Sequence, residues 1–422
     1  MPRLRVSNPL WLVDRSKTEP PRYPHVARDL TVDVAIVGGG ITGAAVAWAF
    51  ARAGVRVAVL EAARVGRGST AASTALLMQE PDTDFAALAR RYGRANARRI
   101  WRRSRAATRD LVGTLQALHI RCQLDHVDSV YYALRRATGE RLREEWRERR
   151  RAGIPGRWMN AASLRRATGI EGAAAIRTSG NGQADPYLAC TGLLRAAKSQ
   201  GAKIFEASSV DHIEADDDGA SLMSNGVVVR CARVVIATGY ATPYFAPLAA
   251  RFRMWQTYVV ATERLSARSR RALGLGDVML WDAGRPYHYA RWTMDHRLLL
   301  GGGDRKPVAE RQRRKALRDG VAGVRTFFEQ RLPALRQVDT EFAWEGLFAT
   351  TPDGLPYVGP HRDYPQHLFA LGYGGNGMTF GFLAARLLLE WYRGRCTAEH
   401  RLFGFERRAA RRGTVHADDY AA

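Results

Sequence analysis

Near the N-terminus, three glycines and a carboxylate have the types and spacing that bind a dinucleotide. Gly38 would permit a tight turn after an apolar strand, Gly40 would let a pyrophosphate approach the backbone, and Gly43 would let a helix lie against that strand. The free N–H groups at the start of the helix attract phosphate charge. Glu61 ends the next apolar stretch, at about the 20-residue separation that such sites require. Its carboxylate can accept hydrogen bonds from ribose hydroxyls and would repel the 2′-phosphate of NADP.

A second glycine run (GYGGNG, residues 372–377) lies near the C-terminus and also joins an apolar strand to a helix. No acidic residue ends a further strand after it, so the run does not predict a second dinucleotide. The positive end of the helix dipole would instead stabilise the anionic reduced flavin ring of the same cofactor. An Ala-Thr-Gly segment at 237–239 also follows a buried strand, as in many two-domain FAD proteins. Together these features favour FAD over NAD.

Apolar stretches predict the elements that hold these turns. Val32 to Val37 and Val55 to Leu60 are rich in β-branched residues and predict buried parallel strands, with a helix from Ile41 to Ala53 between them. Residues 367–371 and 378–392 predict a strand and a helix around the second glycine run. Because a strand–helix–strand unit comes first and a strand–turn–helix unit comes last, we expect the two ends of the chain to share one domain.

Length and composition describe an ordinary globular chain. Its 422 residues suggest two or three domains, and a hydrophobic content of 46% supplies a large core without disulfide or metal staples. The cysteines form no Cys-x-x-Cys pair, and no histidine lies at metal-ligand spacing, so we predict structural thiols in a reducing compartment and no metal site. No signal peptide or transmembrane segment is predicted, and we expect a cytoplasmic protein.

The net charge of +24 comes mainly from arginine. These arginines are spread along the whole chain, including Arg-rich helices predicted at 84–119 and 138–152, whose basic faces are expected to point to solvent. Neither an aromatic-interleaved basic stripe nor a known nucleic-acid module is present. We therefore expect no nucleic-acid partner, although the charge keeps a tRNA substrate open as an alternative.

Seven segments resemble, in the same order, the D-amino-acid-oxidase-like family of FAD-dependent oxidoreductases, which includes glycine and sarcosine oxidases. They are residues 33–47 (DVAIVGGGITGAAVA), 57–70, 183–206, 234–240, 297–303 (RLLLGGG), 351–360 (TPDGLPYVGP) and 368–381. The resemblance implies an α/β fold in which an FAD-binding Rossmann-like domain is interleaved with an α+β substrate domain that carries a mixed or antiparallel sheet. It implies an FAD-binding domain built from residues 1–80, 183–250 and 340–400, a substrate domain from 81–182 and 251–339, and a basic tail over 401–422.

Positions carried over from the family extend the predicted cofactor site. Gly68, Ser69 and Thr70 align with contacts to the pyrophosphate and flavin, and Val210 aligns with a backbone contact to adenine. Residues 374–379 align with contacts to the flavin ring. The predicted cofactor-binding residues are Gly38, Gly40, Ile41, Thr42, Gly43, Glu61, Gly68, Ser69, Thr70, Val210, Thr238, Gly239, Gly346, Gly372, Gly374, Gly375, Asn376, Gly377, Met378 and Thr379.

Several aligned positions differ from the family pattern. Members that attach FAD covalently have a cysteine where this chain has Gly346, so the resemblance implies non-covalent FAD. A lysine that promotes reaction with oxygen is replaced by Leu299, and a lysine that binds the substrate carboxylate is replaced by Thr379. The arginine of glycine-oxidase-like members aligns with Phe348. The substrate therefore stays open, and so does the electron acceptor, which is either oxygen or a redox partner.

Candidate catalytic residues lie on the strands expected to face the substrate. They are Tyr258, Tyr287, His288, Tyr289 and Arg291. Strand periodicity places Tyr287, Tyr289 and Arg291 on one face and His288 on the other. Two aromatic rings and an arginine suit a substrate that carries a carboxylate, and His288 is a candidate base. A purely structural surface of tyrosine and arginine is the alternative.

These features favour an FAD-dependent oxidoreductase that oxidises the C–N bond of a small amine or amino acid by hydride transfer. Two alternatives stay open. One is an FAD-dependent enzyme that acts on a modified tRNA base, and the other is a non-catalytic assembly protein with the FAD fold.

Overall fold

The computed structural model describes residues 5–13 and 22–407. They fold around two large β-sheets, one of eight strands and one of nine. The predicted α/β fold, with sheets built from interleaved stretches of the chain, is confirmed. A small third sheet joins the segments Leu76–Leu77, Gly182–Gln183 and Asp125–His126.

The eight-strand sheet forms around the first glycine turn. Leu30–Val37 pairs in parallel with Val57–Leu60 on one side and with Val227–Gly239 on the other. Lys203–Phe205 and Tyr364–Leu371 extend the parallel part at its two sides. Elements from the two ends of the chain therefore share this sheet, as expected. The antiparallel strands are His212–Ala215, Ala220–Ser224 and Tyr357–His361.

Three helices cover one face of this sheet: Ile41–Arg52, Pro186–Ser199 and Gly377–Tyr392. The first packs against each of the other two. The second begins where the sequence signals a start, because Pro186 follows Asp185, whose carboxylate accepts a hydrogen bond from the backbone N–H of Leu188 at 2.8 Å. The first and third helices approach closely at Gly381, where a Cβ atom would lie 2.8 Å from the Thr42 hydroxyl oxygen.

The nine-strand sheet is antiparallel apart from one parallel pair, Val278–Asp282 with Asp128–Ala133. Helix Arg313–Glu329 packs against one face of this sheet, and the other face turns toward a cavity. In spatial order, the strands are Arg5–Val6, Thr340–Thr350, Arg253–Thr262, Leu298–Arg305, His288–Trp292, Val278–Asp282, Asp128–Ala133, Ala174–Thr178 and Arg157–Asn160.

Two segments of the predicted FAD-binding stretches join the nine-strand sheet, and the domain division stays a prediction. Thr340–Thr350, within the predicted stretch 340–400, pairs along its length with Arg253–Thr262. Arg5–Val6 pairs with the same strand, so part of the stretch 1–80 also lies in that sheet. Hydrogen bonding to a distant strand decides which sheet these segments join. Local apolar patterns in the sequence do not predict that pairing.

The Arg-rich region forms two helices, Phe85–Tyr92 and Arg94–Ala117, separated at Gly93. Within the longer helix the buried residues recur at helical spacing, while most arginines are exposed. Helix Arg136–Arg151 follows the same pattern, except that Arg149 is buried. The remaining helices are Leu10–Val13, Ser69–Ala72, Ala161–Thr168, Ala246–Ala249, Ala267–Leu273 and Ala398–Arg401, with 3₁₀ turns at Pro243–Phe245, Glu310–Gln312 and Pro333–Gln337.

The first residues of the predicted basic tail pack into the fold. Leu402, Phe403 and Phe405 are buried, and the Arg407 guanidinium forms a buried ion pair with Asp353, with Nε lying 2.7 Å from Oδ2. The rest of the stretch 401–422 lies outside the described residues. Within the described residues, no helix combines the length and the apolar character needed to cross a bilayer.

Candidate active site

A long cavity runs between the two large sheets. One end is lined by the first glycine turn and Glu61, and the other end by Trp281, Tyr287 and Tyr289 of the nine-strand sheet and its loops. The second glycine run and residues 68–70 lie along its walls. The cavity therefore joins the predicted dinucleotide site to the predicted substrate face.

The first glycine turn has the geometry that its sequence predicts. Gly38 has a φ of +108°, and a Cβ atom there would lie 2.8 Å from the Ala237 carbonyl oxygen. A Cβ atom on Gly43 would lie 1.9 Å from the carbonyl oxygen of Gly38. Any larger residue at these positions would displace the backbone, so the turn keeps the helix N-terminus next to the cavity.

Glu61 stands beside this turn. Its Oε2 atom accepts a hydrogen bond from the Gly39 N–H at 2.8 Å, and Oε1 accepts one from the Ala63 N–H at 2.9 Å. Burial raises the pKa of the carboxyl group. Each oxygen has a further lone pair that could accept a ribose hydroxyl, which fits the adenosine half of a dinucleotide.

Residues 68–70 support the start of the same helix. The Thr70 Oγ1 atom accepts a hydrogen bond from the Ile41 N–H at 2.9 Å, and the Ser69 hydroxyl donates to the Leu347 carbonyl oxygen at 2.8 Å. Both residues and Gly68 line the cavity. This segment thus connects the glycine turn to the strand Thr340–Thr350.

The second glycine run borders the middle of the cavity. The Gly375 N–H donates to the Asp82 Oδ2 atom at 2.6 Å, and a Cβ atom on Gly374 would lie 2.2 Å from that oxygen. Glycine is required here because the Asp82 loop lies directly against the turn. Asn376 and Thr379 face away from the cavity and donate to the carbonyl oxygens of residues 80 and 78.

Most of the predicted cofactor residues line the cavity. Among those outside its lining, Gly43 packs against Gly38, and a Cβ atom on Gly372 would lie 2.7 Å from the Phe252 ring. The predicted residues that do not line the cavity are Gly43, Gly372, Asn376 and Thr379.

The predicted catalytic residues separate into two groups. Tyr287 and Tyr289 line the cavity, with ring centroids 5.9 Å apart. Tyr258 points to the opposite face of its sheet, where a Cβ atom on Gly320 would lie 2.3 Å from its ring. His288 also faces that side and stacks on Phe327, with a centroid distance of 3.6 Å.

The Arg291 side chain also lies outside the cavity lining, in the packed interior. Its guanidinium is buried and donates to the carbonyl oxygens of Thr74 at 2.6 Å and Ala184 at 2.8 Å. Arg291 shares a strand face with Tyr289, but it lies further along the strand, where that face meets the backbone of other segments. Tyr258, His288 and Arg291 therefore lie outside the cavity lining and make packing contacts or hydrogen bonds within the protein.

The cavity also has chemically important residues that the sequence reasoning missed, among them Asp82, Trp281, Arg285 and Asp304. Burial raises the pKa of Asp82 to about 6 and that of Asp304 to about 7. Trp281 is held by parallel stacking on Tyr131, with ring centroids 3.8 Å apart. Only Asp304 has a sequence signal, since it directly follows the glycines 301–303 of a buried strand.

Gly346, the position at which covalently linked members have a cysteine, lies in the wall of the cavity. Among the residues that the structure describes, no cysteine or histidine lines the cavity. A Cβ atom at Gly346 would lie 2.7 Å from the Ala72 Cβ atom, so a larger side chain would be crowded there. The residues present therefore fit a cofactor that is held by non-covalent contacts.

The glycine turn in the parallel sheet and the cavity beside it are typical of dinucleotide-binding α/β proteins. Residues 33–391 match the DAO family, described as FAD dependent oxidoreductase, and this chain belongs to that family. The predicted family resemblance and the FAD cofactor are thereby confirmed.

Relatives of known name match over most of their length. The chain is 28% identical over 376 residues to "Gamma-glutamylputrescine oxidoreductase" of Escherichia coli (strain K12), a match that covers 86% of this chain and 84% of the relative. It is 25% identical over 399 residues to "Glycine oxidase" of Bacillus licheniformis, covering 91% of this chain and 98% of the relative. The crystal structure of glycine oxidase from Geobacillus kaustophilus superposes with a TM-score of 0.74 at 23% identity, covering 91% of this chain and 100% of that one, which shows the shared fold.

Proposed function

We propose that this chain oxidises the C–N bond of a small amine or amino acid, with non-covalent FAD as the acceptor of a hydride. The observation that carries the proposal is the continuous cavity, which leads from the dinucleotide turn beside Glu61 to an aromatic chamber at Tyr287 and Tyr289. The names of the relatives support the same substrate class, since they include an oxidoreductase of a glutamylated diamine and a glycine oxidase.

The residues of this chain act mainly by binding and orientation. Bound FAD would supply the two-electron acceptor, and hydride loss from a neutral amine needs little acid–base machinery. The Gly38 turn, Glu61 and Thr70 would hold the adenosine and pyrophosphate end of the cofactor. The rings of Trp281 and Tyr289 would fix the substrate carbon and exclude water from the reacting bond.

The Tyr289 ring has its position because Gly301 has no side chain. A Cβ atom on Gly301 would lie 2.3 Å from the ring, so the neighbouring strand leaves the space that the ring fills. Burial also raises the pKa of the Tyr289 hydroxyl, which therefore stays protonated. Tyr289 can thus donate a hydrogen bond in the chamber but carries no charge there.

Anaerobic reduction of the purified yellow protein tests the proposal. Each compound of a panel of amines and amino acids is added without oxygen, and the flavin absorbance near 450 nm, roughly the range of oxidised flavins, is followed. The matched control is the panel of 2-hydroxy acids and alcohols with the same carbon chains. We expect bleaching by at least one amine and none by its hydroxy counterpart. Bleaching by the hydroxy compounds alone would exclude C–N oxidation.

Re-aeration of the bleached protein then identifies the acceptor. Fast return of the yellow colour in air indicates an oxidase, and slow return indicates a dehydrogenase that needs a redox partner. Because Leu299 replaces the lysine that promotes reaction with oxygen in sarcosine-oxidase-like members, we expect slow return.

A further inference from the structure

The substrate end of the cavity has more acidic than basic side chains. Asp82 and Asp304 both line it, and they are close enough for the charge of Asp82 to raise the pKa of Asp304. Among the described residues, Arg285 is the one basic side chain in the lining; it is exposed, and its positive charge acts on both Asp82 and Asp304. The interior of the chamber is therefore suited to a cation and poorly suited to a carboxylate.

Asp304 has an oxygen that points to an absent ligand. Its buried Oδ1 atom has no hydrogen-bond partner in the described part of the chain, and the buried Thr257 hydroxyl, which also lines the cavity, has none there either. A buried carboxylate oxygen without a partner is costly unless a donor fills the space beside it. Because Asp304 lines the cavity, a bound molecule can bring that donor.

Asp82 and three aromatic residues line the cavity together with Asp304. One oxygen of Asp82 accepts the Gly375 N–H at 2.6 Å, which fixes the carboxylate at the wall of the chamber. Trp281, Tyr287 and Tyr289 line the same cavity. Aromatic faces attract ammonium groups, most strongly where water is excluded.

We propose that the substrate of this chamber carries a second amino group, which binds as an ammonium ion to Asp304 and Asp82. The substrate class is then a diamine or polyamine rather than an α-amino acid. This inference rests on the proposed C–N oxidation for the reacting amino group, but the recognition of the second group depends only on the two carboxylates.

A matched series of four-carbon compounds tests this recognition. Butane-1,4-diamine, butylamine and 4-aminobutanoate share one amino end and differ at the other end, which is an ammonium, a methyl or a carboxylate group. Dissociation constants are measured under anaerobic conditions from the perturbation of the flavin spectrum of the FAD-loaded protein. We expect the diamine to bind at least about tenfold more tightly than butylamine, as one charge-assisted hydrogen bond would give, and 4-aminobutanoate to bind most weakly.

Two variants test whether the carboxylates of Asp304 and Asp82 cause the preference for the diamine. Asp304→Asn and Asp82→Asn should each remove most of the preference for the diamine over butylamine. Asp277→Asn is the control, because Asp277 is an exposed acid outside the cavity lining. If Asp82→Asn loses its flavin, Asp304→Asn still decides the question, since no backbone N–H depends on its Oδ1 atom.

The two proposals fail in different ways. Equal affinity for the three compounds, or tighter binding of 4-aminobutanoate, overturns the second-ammonium site even if amines bleach the flavin. An unchanged diamine preference in Asp304→Asn and Asp82→Asn overturns it as well. A diamine preference that depends on Asp304, found together with no bleaching by any amine, supports the site and refutes the proposed C–N oxidation.

Discussion

Replacement of Asp304 by asparagine is expected to stabilise the folded protein at alkaline pH. Burial is the main cause that raises the pKa of this carboxyl from 3.8 to about 7, and the negative charge of Asp82 adds to it. The nearby Thr257 hydroxyl and the positive charge of Arg285 lower the pKa but are too weak to cancel the rise. Asparagine keeps the shape of the side chain and does not ionise.

The size of the effect follows from the two pKa values. A rise from 3.8 to about 7 corresponds to about 4 kcal/mol at 1.36 kcal/mol per pH unit. Because the folded-state pKa is raised, the folded protein keeps the proton between about pH 4 and pH 7, where the unfolded chain has lost it. The stability that this group contributes is present below about pH 4 and is lost as the pH rises toward 7.

The free energy of unfolding of Asp304→Asn should therefore exceed that of the wild type most at the pH values where the wild type has lost this contribution. Water that enters the cavity screens the charge, so we expect a gain of about 2–4 kcal/mol at about pH 8 and no more than about 1–2 kcal/mol at about pH 5. Urea unfolding of the FAD-saturated proteins, followed by tryptophan fluorescence at both pH values, measures the difference from the midpoints and a common slope. Asp277→Asn serves as the control. A gain that is equal at the two pH values, or no gain at about pH 8, would refute the assignment of a buried, proton-retaining Asp304.

Three further outcomes follow from the structure. Gly43→Ala should lose most of its bound FAD, measured by the ratio of flavin to protein absorbance after gel filtration, because the new Cβ atom would lie 1.9 Å from the Gly38 carbonyl oxygen; retention of FAD at the wild-type ratio would contradict the close approach. Acid precipitation of the wild type should release all of its flavin into the supernatant, because Gly346 stands where tethered relatives have a cysteine; a yellow pellet would reveal a covalent bond. Arg407→Met should cost about 3–5 kcal/mol in urea unfolding, because it leaves the buried Asp353 carboxylate without its ion pair; a cost below about 1 kcal/mol would mean that the segment 401–407 contributes little.

The dinucleotide half of the site could be predicted because its parts are neighbours in the chain. Gly38, Gly43 and Glu61 lie within one strand–helix–strand unit, where steric contacts over a few residues set the geometry. The absence of a cysteine at position 346 could also be read from the sequence alone. Strand periodicity placed Tyr287 and Tyr289 on one face, and both rings line the cavity.

The two-residue periodicity of a strand predicts which side chains share a face, but it does not predict which of them reach the cavity. Arg291 shares the face of Tyr289, but the carbonyl oxygens of Thr74 and Ala184 occupy its guanidinium. Tyr258 and the strand Thr340–Thr350 illustrate the same limit, since packing against a distant helix or strand decided their surroundings.

By itself, the sequence determined the cofactor class of this protein, because a glycine turn with a following carboxylate is a local steric pattern. Only the tertiary structure decided the charge of the substrate chamber. Asp82 comes from a loop and Asp304 from a strand far along the chain. The sequence around either residue does not predict that both line the same cavity. Burial and proximity between remote segments determine their pKa values, and these two quantities exist only in the folded chain.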